Sequence, residues 1–198
     1  GNSSNCWRAA ASRSIMIWLN TKKTWPRLRA LMLNEHRMNV VSNTSPITNL
    51  ALIGRLELLE QMYGSVTIPE EVWDELVVKG AHLPSAQQIA RASWLHVRPV
   101  TNQALVQSLR QELDAGEAAA IAMAVETTAD LLLIDERIGR ESAQHFGLTY
   151  MGLIGVLQRA HHRRLLPAMR PVLDALRLQA GFWISDTLYQ RVLRDAGE

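Results

Sequence analysis

Four side chains ending in oxygen recur at comparable places along this chain: Asn43, Glu75, Glu117 and Asp135. Asn43 follows the apolar pair Val40-Val41, and Asp135 follows the run Leu131-Leu132-Leu133-Ile134. Glu117 stands in the first turn of the helix that leads into that second run. Glu75 lies on a helix after Val66-Thr67-Ile68, with Glu71 one turn earlier on the same face. The carboxyl ends of parallel strands are where open α/β sheets place their ligands. If the strands carrying Asn43 and Asp135 are neighbours, these two residues face each other there, and Glu117 can join them. Such a set of hard oxygen ligands (Asn43, Glu117 and Asp135) suits Mg²⁺ or Mn²⁺ rather than zinc. An ion held this way orients a phosphodiester, neutralises its charge and activates a water for in-line attack.

Taken singly, each residue has a plainer reading. Asn43 can serve as a helix cap or turn residue, and Asp135 as the cap of the following helix. Glu117 can complement a helix dipole, and Glu75 can be a surface residue. Asp114 and Glu71 read as solvated. His161 and His162 are adjacent on a helix and do not face one way, which argues against a metal pair. Trp73 and Trp183 read most simply as core or edge packing. The metal reading gains because four oxygen-bearing residues fall at matching ends of one inferred sheet. No Gly-rich phosphate loop and no nucleophile elbow occurs, which weakens nucleotide-binding and acyl-hydrolase readings.

The elements that must position these residues alternate. Strands are expected at about 39–43, 65–68, 94–100, 131–134 and 148–151, with a further edge strand at 181–184. Between the first two, an apolar stripe through Ile47, Leu50, Ala51, Ile53 and Leu56 continues past Gly54 to Met62, and Ser45-Pro46 suits its start. Pro69 opens the next helix and Lys79-Gly80 ends it, and 81–92 is a polar connection with some helical character. Helices then follow at about 103–113, 118–127, 136–146, 152–163 and 167–179. A last helix, capped by Ser185 or Asp186, runs to about 196. The helix 118–127 is nearly all Ala, Ile, Met and Val, so it should be buried against a sheet. Strands joined by helical crossovers predict a doubly wound parallel sheet flanked by helices, a Rossmann-like three-layer α/β fold.

The chain has 198 residues, 47% of them hydrophobic and 20% charged, which suits one globular α/β domain. Its single cysteine, Cys6, excludes an internal disulfide and a cysteine-based zinc cage, and a reducing cytoplasm fits. No apolar run approaches a membrane span, and Ser14–Leu19 is too short for one. No small-residue cleavage site clearly follows it, which speaks against a signal peptide. Residues 1–37 carry seven Lys or Arg against Glu35 alone, and 38–198 carry 14 basic and 18 acidic groups. The pI near 9.0 therefore belongs to the leader and does not by itself imply nucleic-acid binding. That leader holds Trp7, Trp18 and Trp25, and Met38 stands just before the first strand. The expectation is a basic extension over 1–37, possibly outside the native domain, and one domain over 38–198. The other reading of the leader is a basic arm for nucleic acid or an acidic partner.

Several segments carry a family likeness. The run Val40-Val-Ser-Asn-Thr-Ser-Pro-Ile47 resembles the opening of PIN-like domains, which usually read strand, Asp, then Thr or Ser. Val66-Thr-Ile-Pro-Glu-Glu-Val-Trp-Asp-Glu-Leu76 is similar to their second strand and acidic helix. Leu113-Asp-Ala-Gly-Glu-Ala-Ala-Ala-Ile121 and Leu131-Leu-Leu-Ile-Asp-Glu-Arg137 resemble the third and fourth acidic segments. The tail Gly181–Ser185 with Leu188-Tyr189 is similar to a prokaryotic branch related to toxin-type (VapC-like) ribonucleases. The likeness covers about 39–197 in order. It implies a metal-dependent endoribonuclease of the toxin–antitoxin kind, using Mg²⁺ or Mn²⁺ at Asn43, Glu75, Glu117 and Asp135. It also implies an RNA substrate, a small antitoxin partner and a homodimer, and the region of Trp183 and Tyr189, if exposed, would offer an apolar interface. Asn43 departs from the family's usual carboxylate. An amide oxygen can ligate a hard cation but brings no charge and cannot act as a base. A weakly active or inactive module that binds RNA or protein is therefore the alternative expectation.

Overall fold

Two short apolar strands form the centre of the sheet. The computed structural model describes residues 38–198, and the expectations for 1–37 lie outside them. β1 (Val40–Ser42) and β4 (Leu131–Leu133) are buried throughout and pair in parallel, Val41 opposite Leu132. β2 (Val66–Pro69) lies beyond β1, β3 (Leu95–Arg98) beyond β2, and β5 (Tyr150–Met151) beyond β4. The order is β3-β2-β1-β4-β5 with every pairing parallel. Strand order reverses between β1 and β4, so their carboxyl ends open on the crevice expected to hold a ligand.

Among the described residues, ten α-helices make the crossovers and the tail. α1 (Thr44–Leu52) and α2 (Glu57–Tyr63) follow β1. α3 (Glu70–Trp73) follows β2 and runs into a π-helical segment, Asp74–Lys79, before α4 (Pro84–Ala90). α5 (Gln103–Leu109) and α6 (Ala115–Glu126) lead to β4, and α7 (Arg137–His145) leads to β5. α8 (Leu153–His162), α9 (Arg170–Leu178) and α10 (Asp186–Ala196) complete the chain.

Side chains leave a strand alternately to its two faces. Val40, Leu131 and Leu133 enter one core with α1, α8 and α9, where Ile47, Leu50, Leu157 and Leu173 are fully buried. Val41, Leu132 and Ile134 enter the other, against Ala118–Ala124 of α6. The three expected layers follow from this alternation. They also explain why α6 is apolar on every side: it is covered by the sheet and by neighbouring helices.

The structure differs from expectation in four places. α1 begins at Thr44, with Asn43 in the cap position, rather than at Pro46. The apolar stripe after Asn43 breaks into two helices, because Gly54 turns the chain at φ +62 and the Arg55 amide closes onto Leu50 O. Residues 181–184 form no strand. Their backbone is drawn onto α9 instead, through Phe182 N to Leu176 O and the Arg177 guanidinium to Ile184 O. Trp183, expected to pack, is 83% exposed, and Tyr189 is buried. No described helix is long and apolar enough to cross a membrane.

Leu132 is fully buried on the α6 face, so Leu132→Ala should cost about 2–5 kcal/mol, read as a lowered urea midpoint.

Candidate metal centre

The same alternation that builds the two cores sorts the residues just past β1 and β4. Val41 faces α6, and Asn43 follows it in phase. Leu132 and Ile134 face α6, and Glu136 is next in phase, in extended backbone. Leu131 and Leu133 face α8, and Asp135 follows them. Asn43 and Glu136 are thus directed to the α6 side, and Asp135 to the α8 side.

On the α6 side, Asp114 caps the helix, its Oδ1 accepting from Glu117 N at 2.7 Å. This places Asp114 and Glu117 on one turn. One carboxylate oxygen from each of Asp114, Glu117 and Glu136 lies within 4.8 Å of the others. The group borders a cleft of about 260 Å³ that is also lined by Asn43, Thr44 and Glu75. On the facing wall Thr44 Oγ donates to Glu75 Oε2 at 2.5 Å. Two glycines permit the close approach. A Cβ on Gly116 would stand 2.8 Å from Glu75 Oε2, and one on Gly139 would stand 2.9 Å from Glu117 Oε1. The π-helical segment contributes as well, because Glu75 is its second residue. Single π turns inside helices are frequent at functional sites.

The base of the site is buried. Asn43 and Glu117 are 2% and 4% exposed. Asn43 Oδ1 and Glu117 Oε1 have no hydrogen-bond partner among the described residues. Leaving a buried acceptor unpaired costs about 1–3 kcal/mol each. Burial pushes the Glu117 carboxyl up from its ordinary value of 4.5 to about 7, and repulsion from Glu136, Asp114 and Glu75 adds to the rise. A hard divalent cation would satisfy the orphaned oxygens and relieve the repulsion together, so the residues present fit such an ion.

Of the four residues singled out in the sequence, the fold brings Asn43, Glu75 and Glu117 to this cleft. Asp135 does not line the cleft, although its buried Oδ2 likewise has no hydrogen-bond partner among the described residues. Its Oδ1 accepts from Leu153 N at 2.9 Å at the start of α8, beside Gly152, where a Cβ would stand 2.7 Å away. Burial raises the Asp135 carboxyl above its usual range, and the Leu153 amide and Arg140 oppose that rise. Neither Asn43 nor Asp135 caps its own following helix through its side chain. Two members escaped the sequence reading. Asp114, read as solvated, is exposed but belongs to the group. Glu136 was overlooked beside Asp135. Counting by twos from Leu132 and Ile134, which face the apolar helix, would have found it.

A family model described as a PIN domain (DUF3368) matches residues 39–198. PIN domains have a nuclease-type fold, act on nucleic acids and typically use divalent metals. No curated protein matches the chain.

The raised Glu117 has a signed consequence. Its folded pKa exceeds its unfolded one, so the folded state holds the proton more tightly. Stability from this group is present below pH 4.5 and is lost as pH rises toward about 7. Metal-free Glu117→Gln should flatten that part of the Tm profile and lie above the wild type at pH 8. Parallel profiles would show that Glu117 is not the group responsible.

Proposed function

The chain belongs to the PIN-domain family, and from that membership we propose that it is a metal-dependent endoribonuclease. The carrying observation is the approach of Asp114, Glu117 and Glu136 within 4.8 Å beside the orphaned Asn43 Oδ1. These four residues would hold Mg²⁺ or Mn²⁺, since every donor is a hard oxygen. When bound, such an ion neutralises phosphate charge and lowers the pKa of a water.

The chain's own residues supply the rest. Thr44 fixes the Glu75 carboxylate on the facing wall, and Gly116 leaves room for it. Glu75 Oε1 can then accept the proton of a water attacking a phosphodiester. Asp135 ties the segment after β4 to the start of α8, and so steadies Glu136. Asp135 is in this proposal a positioning residue rather than a ligand. The toxin–antitoxin setting in the cytoplasm, a small antitoxin partner and a homodimer complete the proposal, on the segment likeness alone.

A second reading is favoured by one observation, the neutral Asn43 at the base of the site. In it the chain is a weak or silent module that binds RNA or protein. The two readings separate in one assay, RNA cleavage with and without Mn²⁺. The nuclease reading predicts metal-dependent cleavage by the wild type, a loss of at least about 100-fold in Glu117→Gln, and a loss of about 10–100-fold in Asp135→Asn. The silent-module reading predicts cleavage only after Asn43→Asp. Equal background in the wild type and Glu117→Gln contradicts the nuclease reading.

A further inference from the structure

The acidic cleft has a second wall that carries no charge. Beside the carboxylates it is lined by Ser45, Thr48 and Asn49. All three lie on α1 at positions i, i+3 and i+4, so they share one face. The opposite face of α1 carries Ile47, Leu50 and Ala51 into the core. The wall begins two residues after Asn43, at the base of the site, and rises by about one turn. Its three side chains are half-buried. Asn49 Nδ2 donates to Ser45 O at 2.8 Å and to Ser45 Oγ at 3.2 Å. A carbonyl oxygen only accepts, so the amide nitrogen must face Ser45, and Oδ1 is the atom Asn49 has left to offer a ligand. Ser45 Oγ is an acceptor in this pair and keeps its own hydrogen to donate. A threonine in a helix commonly bonds back to the carbonyl four residues earlier, as Thr127 does to Met123 O at 2.8 Å. Among the described residues Thr48 makes no such bond.

A nuclease built on the acidic group alone would treat RNA and DNA alike, because attack of a water on phosphorus makes no use of the 2′-hydroxyl. That hydroxyl, at once donor and acceptor, is what lets a protein tell the two strands apart. The carboxylates of Glu75, Asp114, Glu117 and Glu136 line the rest of the cleft and repel any phosphate whose charge no ion offsets. The neutral parts of a strand therefore belong against α1. Of these parts the sugar is bonded directly to the phosphate, and a base stands one sugar further away. The wall starts beside the proposed ion ligand Asn43, which matches the sugar. At about 260 Å³ the cleft is smaller than the roughly 300–1,000 Å³ of drug-sized ligand pockets, so it takes one nucleotide unit of a strand.

We propose that Ser45, Thr48 and Asn49 form a sugar-reading wall that selects ribose over deoxyribose in the strand occupying the acidic cleft. The 2′-hydroxyl donates to Asn49 Oδ1 and accepts from the Thr48 hydroxyl, while Ser45 holds the Asn49 amide in the orientation that presents Oδ1. The proposal rests on the nuclease reading for the presence of a strand in the cleft.

The test compares a labelled single-stranded RNA with the DNA of the same base order. Binding to the full chain is measured with Ca²⁺ in place of Mn²⁺, and the strands are verified intact afterwards. Cleavage is measured in Mn²⁺, on both strands and on DNA carrying one ribonucleotide. The wild type should bind RNA at least about 10-fold more tightly than DNA, and should cut the mixed strand beside its ribonucleotide. Thr48→Val and Asn49→Ala should each weaken RNA binding about 2- to 10-fold and leave DNA binding unchanged. Thr48→Ser keeps the hydroxyl and should keep the preference, which guards against a merely structural effect. Equal affinity for the two strands in the wild type would overturn the proposal, as would a parallel loss on both strands in Thr48→Val and Asn49→Ala, or a preference that neither variant changes. An RNA preference that these variants reduce, in a wild type that cuts neither strand, would remove the nuclease reading and leave the sugar-reading wall standing. Metal-dependent cleavage of RNA and DNA at equal rates would do the reverse.

Discussion

The two-residue alternation along β1 and β4 is the constraint on which the rest of this structure depends. It sends Val40, Leu131 and Leu133 toward α8, and Val41, Leu132 and Ile134 toward α6. Because the strands are only three residues long, the same phase reaches the residues just beyond them. It sets Asn43 and Glu136 beside Glu117, and Asp135 beside the α8 amide. A one-residue slip would exchange the core faces and the site together. Fold and chemistry therefore rest on one register, Val41 opposite Leu132.

The cleft is held in a state of electrostatic frustration. Glu117 is buried without a partner for Oε1, and three other carboxylates oppose its ionisation. Native structures rarely leave buried acceptors unpaired unless the group has work beyond stability. Gly116 and Gly139 are part of the same arrangement, since each lets a carboxylate occupy space that a methyl group would fill. In this light Asn43 is less of a defect than its type suggests. With Asp114 and Glu136 in the group, a neutral amide oxygen lowers the charge that one small cleft must hold.

Much of the architecture was legible because apolar periodicity and punctuation agree. The parallel sheet, the buried α6 and a cap at Ser185 or Asp186 all follow from local pattern, and it is Ser185 Oγ that accepts from Leu188 N. The edge strand expected at 181–184 failed because Arg177 and Leu176, distant in pattern but adjacent in space, take up its backbone groups. Trp183 failed because size and hydrophobicity do not say which face of a loop is covered. At the candidate site, residue type singled out Asn43, Glu75 and Glu117, which the fold brings to one cleft. That Glu136 rather than the adjacent Asp135 borders it follows from the strand phase, and Asp114 reads as solvated in sequence because residue type says nothing of its neighbours in space.

The most direct measurement is a crystal structure of the chain soaked in Mn²⁺, read at the manganese absorption edge. The account predicts one anomalous peak within about 2.0–2.3 Å of oxygens from Glu117 and Glu136, with Asp114 or Asn43 completing the set. A peak coordinated by Asp135 without Glu136, or none at a Mn²⁺ concentration that supports cleavage, would contradict it.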